Sequence, residues 1–209
     1  MGVIGIVAAL TLPNLNSSTG DKEKVAKVKK IYSNLEDAFG RAQAVYGPFD
    51  EWFKNDTTAE QRSKRFGERI TEFMKVSKTC GAGDGCFSSA PLLDLYGSKM
   101  DDNRLNVLKH HKAYMYILAD GTSIAFDNCR ILIDIDGPNK GKNQEGVDSF
   151  GFGIYDDNIY TDDCKNKNDF VIGNNGVYDY VTTWVIINDN MDYLKCHDEL
   201  NWETKTSCK

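Results

Sequence analysis

Histidine and proline are scarce, at three and four residues respectively. His110 and His111 are adjacent, so their rings leave the backbone in different directions and do not converge on one metal. His197 sits beside Cys196, and neighbours in sequence rarely face each other as nucleophile and base. The chain has no G-x-S-x-G, no H-E-x-x-H, no Walker loop and no dinucleotide fingerprint. Those absences remove the common signatures of hydrolase, metalloprotease and nucleotide chemistry, and no catalytic residue is assigned. No apolar run reaches the roughly 20 residues that a membrane-spanning helix needs. A clustered basic face is also missing. The formal charge is -6, and the one dense lysine run, Lys22 to Lys30, carries Glu23 within it. A nucleic-acid partner is therefore not expected, because phosphate binding relies on clustered Lys and Arg.

With 209 residues, 41% of them hydrophobic, the chain can bury the core of one domain. Its six cysteines, Cys80, Cys86, Cys129, Cys164, Cys196 and Cys208, are even in number, widely spread and without a CxxC pair. That pattern reads as disulfides in an oxidising compartment, with reduced, buried thiols as the alternative. Proximity suggests Cys80–Cys86 and Cys196–Cys208, which leaves Cys129 with Cys164.

The segment from Gly2 to Leu12, GVIGIVAALTL, is uncharged and apolar all round, as suits a helix surrounded by lipid or by partner helices. It leads through Pro13 and a polar patch from Asn14 to Asp21 into the strongest periodic signal of the chain. Val25, Val28, Ile31, Tyr32, Leu35, Ala38, Phe39, Ala42 and Val45 recur at three- and four-residue steps. They predict an amphipathic helix from about Lys22 to Tyr46, ended by Gly47-Pro48. A second helix is expected from Thr58 to Lys78, with Thr57 and Glu60 at capping-box spacing. The glycine-rich run from Cys80 to Cys86 has no preceding strand and no following Lys, so it reads as a disulfide-closed loop, not a phosphate cradle. Strands are expected at Ala113 to Leu118, Thr122 to Phe126, Arg130 to Ile135 and Ser149 to Tyr155, the first two joined by an Ala-Asp-Gly turn. Asp156 to Asn175 reads as a surface loop. Val181 to Lys209 reads as a short helix and a closing loop that covers the sheet. A long helix followed by a small antiparallel sheet is an α+β fold.

The sharpest cluster of oxygen ligands is Asp134, Asp136, Asn139, Asn143 and Asp148, around a Gly-Pro turn. Hard oxygen donors at a strand end are what Ca²⁺ prefers, although the spacing is not that of an EF-hand. The competing reading is a turn in which Asp and Asn side chains bond the backbone. The acidic pairs Asp101-Asp102, Asp156-Asp157 and Asp162-Asp163 lie in polar segments and read as solvated surface. The aromatic residues, Trp52 and Tyr116 among them, read mainly as core.

GVIGIVAALTLPNL followed by a basic amphipathic helix resembles the N-terminal region of type IV pilins and type II secretion pseudopilins. The resemblance covers roughly the first 45 residues. The stretch DIDGPNKGKNQEGVDSFGF, from Asp134 to Phe152, also resembles an Asp-Asn-Gly-Pro-Asn loop of some pilin-like proteins. The resemblance implies a pilin-like fold in which a long N-terminal helix lies on a small antiparallel sheet. It implies that Ile4, Ile6, Val7, Leu10, Leu12 and Pro13 belong to the helix that anchors the subunit in the inner membrane and packs in the filament core. On this reading residues 1–20 are the remnant of that helix and residues 21–209 the globular domain. Because no leader peptide, cleavage junction or assembly Glu precedes Gly2, the chain reads as N-terminally truncated. The partners implied are other pilin or pseudopilin subunits. The location implied is the bacterial inner membrane with the domain outside the cytoplasm, or an extracellular filament. Calcium in a β-region loop, as in some major pseudopilins, is the implied cofactor. The alternative function is a secreted or surface-anchored, adhesin-like binding module.

Overall fold

The structure is a computed structural model that describes residues 3–101, 104–127, 130–155, 158–160 and 178–208. Side chains are described from Thr19 onward, apart from those of residues 155, 158, 160 and 178–180. The architecture is α+β. One helix, α1, runs over Val3–Tyr46, followed by a 3₁₀ turn at Phe49–Phe53 and helix α2 at Ala59–Thr71. Strand β1 (Val76–Gly81) and helix α3 (Arg104–His110) precede β2 (Tyr114–Leu118), β3 (Ser123–Asp127), β4 (Arg130–Asp134), β5 (Ser149–Tyr155) and β6 (Asn158–Tyr160). Helices α4 (Tyr178–Asn188) and α5 (Tyr193–Cys196) close the described fold. The six strands form one sheet in chain order, with every neighbour antiparallel.

Helix α1 contains 44 residues, about 66 Å at the ordinary rise per residue. It is assigned through Pro13 and the polar patch, so the two N-terminal segments form one element. Val25, Val28, Ile31, Leu35, Ala38, Phe39 and Ala42 are buried along its stripe. Each fully buried Val, Leu, Ile or Phe in such a stripe contributes about 1.5–3 kcal/mol relative to exposure. Tyr32 is half-buried and stacks on Phe152 of β5 at 5.8 Å. Val45 departs from the expected stripe and is 61% exposed. It lies in the last turn, beyond the core, where Gly47 adopts a φ of +81° and donates to the Gln43 carbonyl at 2.9 Å.

The alternation of each strand divides its side chains between two faces. Tyr116, Leu118, Ile124, Phe126, Ile131, Ile133, Phe150, Phe152 and Ile154 face the cluster built with α1, α2 and α4. Met115 and Ala125 face the opposite way, into a smaller cluster with Cys86, Phe87, Leu105 and Leu108. The sheet is therefore covered on both sides, and α3 is the helix that sequence periodicity missed. Its seven residues offer only Leu105 and Leu108 as a periodic signal, too few to separate from a loop.

Two expectations about α2 are corrected. Its N-cap is Thr58, not Thr57, and the capping box joins Thr58 to Gln61 in place of Glu60. The helix ends at Thr71, and Val76–Gly81 forms β1 instead of a last helical turn. Pairing of that segment with β2 supplies the backbone partners that a helix would have supplied internally. Consequently a strand does precede the glycine-rich loop. That loop is closed by the Cys80–Cys86 disulfide, and its Gly85 carbonyl accepts the Lys78 ammonium at 3.2 Å.

Candidate functional site

Strands β4 and β5 are joined by residues 135–148, which carry the predicted oxygen ligands. Asp134 closes β4, in register with Ser149 of β5 and Ser123 of β3. Its Oδ1 accepts the N–H groups of Asp136 and Gly137, each at 3.0 Å. This is the turn that an Asp side chain makes with backbone two and three residues on. Gly137 is at φ +77°, and a Cβ there would fall 2.4 Å from the Gly121 carbonyl oxygen, so only glycine fits.

Asp148, fully buried, organises the other end of the loop. Its Oδ1 accepts from the Gln144 N–H at 2.6 Å and its Oδ2 accepts from the Lys142 N–H. Its carbonyl accepts from Ile135 at 2.8 Å, which closes the neck of the loop. Gly141, at φ +78°, leaves room for two carboxylates. A Cβ there would lie 2.4 Å from Asp148 Oδ2 and 3.0 Å from Asp136 Oδ2.

The rest of the molecule grips this loop from several sides. Lys27 of α1 donates its ammonium to the Ile135 carbonyl. Leu93 N–H reaches the Asn143 carbonyl at 2.8 Å, and Glu145 N–H reaches the Leu93 carbonyl at 3.0 Å. The Gln144 amide donates to the Leu95 carbonyl at 3.1 Å. The Tyr193 hydroxyl of α5 donates to the Gly146 carbonyl at 2.7 Å. Arg104 of α3 donates from Nη2 to Ser149 Oγ at 3.3 Å and lies 3.8 Å from Glu145 Oε1, both side chains being buried. Four separate parts of the chain thus converge on one loop.

The electrostatics follow from this burial. Desolvation, then the neighbouring Asp148 charge, pushes the Asp134 carboxyl up to about 7, against the opposing backbone hydrogen bonds. Burial likewise pushes Glu145 up to about 7, with Arg104 opposing it. Burial pulls Arg104 down to about 10, and Glu145, Asp134 and Asp148 pull the other way.

Of the five predicted ligands, Asp134, Asp136 and Asp148 share this loop, the first and third buried and the second half-buried. Asn139 is exposed. Asn143, at φ +51°, turns its amide to Ser88 Oγ at 3.1 Å. Among the described residues, no three His, Cys, Asp or Glu side chains form a metal-holding group. The oxygens of Asp134 and Asp148 that have hydrogen bonds spend them on backbone N–H groups of their own loop, as the turn reading requires. Arg104 and Tyr193 are the partners that sequence reading missed. A basic residue opening a short helix and a tyrosine in the tail carry no local signal of a site 40 to 50 residues away.

The cystines Cys80–Cys86 and Cys196–Cys208 are formed, the two pairs that proximity suggested. Cys129 and Cys164 lie outside the described residues. So do Asp102, Asp156-Asp157, Asp162-Asp163 and most of the expected loop from Asp156 to Asn175, of which Asn158–Tyr160 is instead strand β6, paired with β5. Ile4, Ile6, Val7, Leu10, Leu12 and Pro13 lie on the backbone of α1, and their side chains are outside the description. His110 and His111 are exposed, while His197 is half-buried against Tyr96 with ring centroids 5.4 Å apart. Among the described residues, no helix is long and apolar enough to cross a membrane. Comparison with protein-family models, with curated proteins and with solved structures returns no significant match.

Proposed function

We propose that the chain is a pilin-like structural subunit that assembles through α1 into a type IV pilus or a type II secretion pseudopilus. The observation that supports this reading is the division of labour along one helix. From Val25 to Ala42 its stripe is committed to the domain core. The uncharged sequence from Val3 to Leu12 continues on the same 44-residue helix. A rod with one end bound to a domain suits a subunit whose apolar helical end packs with copies of itself. In this reading the work is packing, no residue is catalytic, and the partners are other subunits and the inner membrane that holds them before assembly.

Calcium enters the same proposal as a ligand of the β4–β5 loop. Asp134, Asp136 and Asp148 are the residues that would hold it; Asn139 is exposed and the Asn143 amide is turned to Ser88, which supports the choice of these three. A bound divalent cation would offset both the desolvation and the Asp148 repulsion that raise Asp134. Melting the protein in excess calcium and in chelator tests this, because a ligand of the native state raises the melting temperature with its concentration.

The assembly proposal is tested in the source cell, with the gene's own upstream sequence retained. Filaments are sheared from the surface, and this chain is sought in the sheared and membrane fractions. Val7→Asp or Leu10→Asp should remove it from filaments and leave the folded domain intact. Recovery of a soluble monomer from the medium, indifferent to both substitutions, would overturn the proposal in favour of an adhesin-like binding module.

A further inference from the structure

The C-terminal tail is a small clip with its own hydrogen bonds. Asn190 accepts the Trp184 indole N–H at 2.9 Å and donates to the carbonyls of Asn188 and Thr206. Asp192 Oδ2 accepts the Cys208 N–H at 2.8 Å. Trp202 meets Trp184 edge-on at 5.0 Å. Lys195 pairs with Asp21 of α1 at 2.7 Å. Tyr193, buried, ends the clip on the Gly146 carbonyl of the β4–β5 loop. The Cys196–Cys208 bond spans a sequence separation of 12 and closes this clip covalently.

The two cystines differ in what breaking them would require. Cys86 is fully buried in the apolar cluster with Phe87, Leu105 and Met115. Attack on the half-buried Cys80 sulfur would expel a Cys86 thiolate into that cluster, where a charge is poorly solvated. Cys196 and Cys208 are both half-buried. Cys196 packs against the edge of the main core, and the Cys208 sulfur lies 3.4 Å from the Asp192 carbonyl oxygen. Neither is sealed in an apolar cluster as Cys86 is, so neither leaving thiolate carries the full desolvation cost that a Cys86 thiolate would.

We propose that Cys196–Cys208 is a thiol-addressable latch that holds the β4–β5 loop through Tyr193, whereas Cys80–Cys86 is a structural staple. The agent is a dithiol. One of its thiolates attacks a sulfur of Cys196–Cys208, the S–S bond breaks, and the departing thiolate takes a proton. The second thiol then resolves the mixed disulfide. The dithiol leaves as a cyclic disulfide, oxidised by two electrons, and both cysteines are left as thiols. Closing a ring of this size suppresses opening of the tail by roughly a hundredfold, so reduction releases the clip and the grip on Gly146. The partner class that fits is a thiol–disulfide oxidoreductase.

The test treats the folded protein with graded dithiothreitol, traps free thiols by alkylation, maps them by mass spectrometry, and follows hydrogen exchange of residues 142–148. Cys196 and Cys208 should be alkylated at least about tenfold faster than Cys80 and Cys86. Exchange of the loop amides should rise about tenfold or more in step with that opening. Tyr193→Phe, which keeps the ring and removes the hydroxyl, should raise loop exchange without reductant and shrink the further rise on reduction. Equal or faster opening of Cys80–Cys86 would overturn the selectivity. Opening of Cys196–Cys208 with unchanged loop exchange would overturn the latch.

Discussion

Alanine at Asp148 removes the carboxylate oxygens that receive the Lys142 and Gln144 N–H groups. The Gln144 donor is buried and, left unpaired, costs about 1–3 kcal/mol. Lys142 is exposed and its N–H can turn to water at a cost of about 1 kcal/mol, so the two amount to about 2–4 kcal/mol. Some of this is returned, because the Asp148 charge also raises the cost of ionising Asp134. A net loss of about 2 kcal/mol is expected, a sizeable fraction of the 5–15 kcal/mol typical of a domain. Asp148→Asn retains one oxygen acceptor and should lose about half as much. The assay is urea unfolding without reductant, in chelator and again in calcium, with the slope checked for constancy. In chelator the alanine variant should already show the full loss, because the acceptor role needs no ion. A loss under about 1 kcal/mol in chelator, growing only when calcium is present, would refute the reasoning. It would mean that the carboxylate serves a cation and the backbone bonds are incidental.

Two helical glycines should respond to alanine with opposite signs. A Cβ at Gly67 would meet the Tyr116 ring at 2.8 Å and Phe126 at 3.2 Å, both rings being buried. Overpacking of about 1–3 kcal/mol should exceed the roughly 1 kcal/mol gain in helix propensity, so the melting temperature falls. Gly40, on the exposed face of α1, has nothing within 4 Å of a new Cβ, and Gly40→Ala should stabilise by up to about 1 kcal/mol. Asp134 and Glu145 have folded-state values near 7, above those of an unfolded carboxylate, so the native state binds more protons between about pH 4 and 7. Their contribution is present at low pH and is lost as pH rises through that window. In chelator the urea midpoint should therefore drop across it, and Asp134→Asn should flatten the drop; a midpoint that climbs with pH would contradict the assignment. Arg104→Met alone strands a buried Glu145 and should cost about 3–5 kcal/mol, whereas Arg104→Met with Glu145→Leu should recover much of it. Additive losses in that double-mutant cycle would show that the pair is not coupled.

Local pattern was enough for the elements whose signal is contained within themselves. The α1 stripe is legible because seven buried apolar residues repeat at helical spacing over five turns. Strands β2 to β5 were legible from short alternating runs and the Ala-Asp-Gly turn, and both described cystines from closeness in sequence. The failures have a common cause. Thr57 and Thr58 are equally good capping residues, and only the observed bonds to Gln61 choose between them. Val76–Gly81 follows a helix without a break in composition, and pairing with β2 is what makes it a strand.

The same holds for the loop between β4 and β5. Sequence alone placed three aspartates at a strand end with glycines between them, which is enough to expect either a cation or a hydrogen-bonded turn. Only tertiary structure brought Lys27, Leu93, Arg104 and Tyr193 to that loop, and only burial there separates a solvated carboxylate from one raised to about 7. Periodicity and turn chemistry are properties of neighbouring residues and can be read from a string. Desolvation and long-range hydrogen bonds depend on which distant segments share a space, and that is decided when the sheet closes against α1.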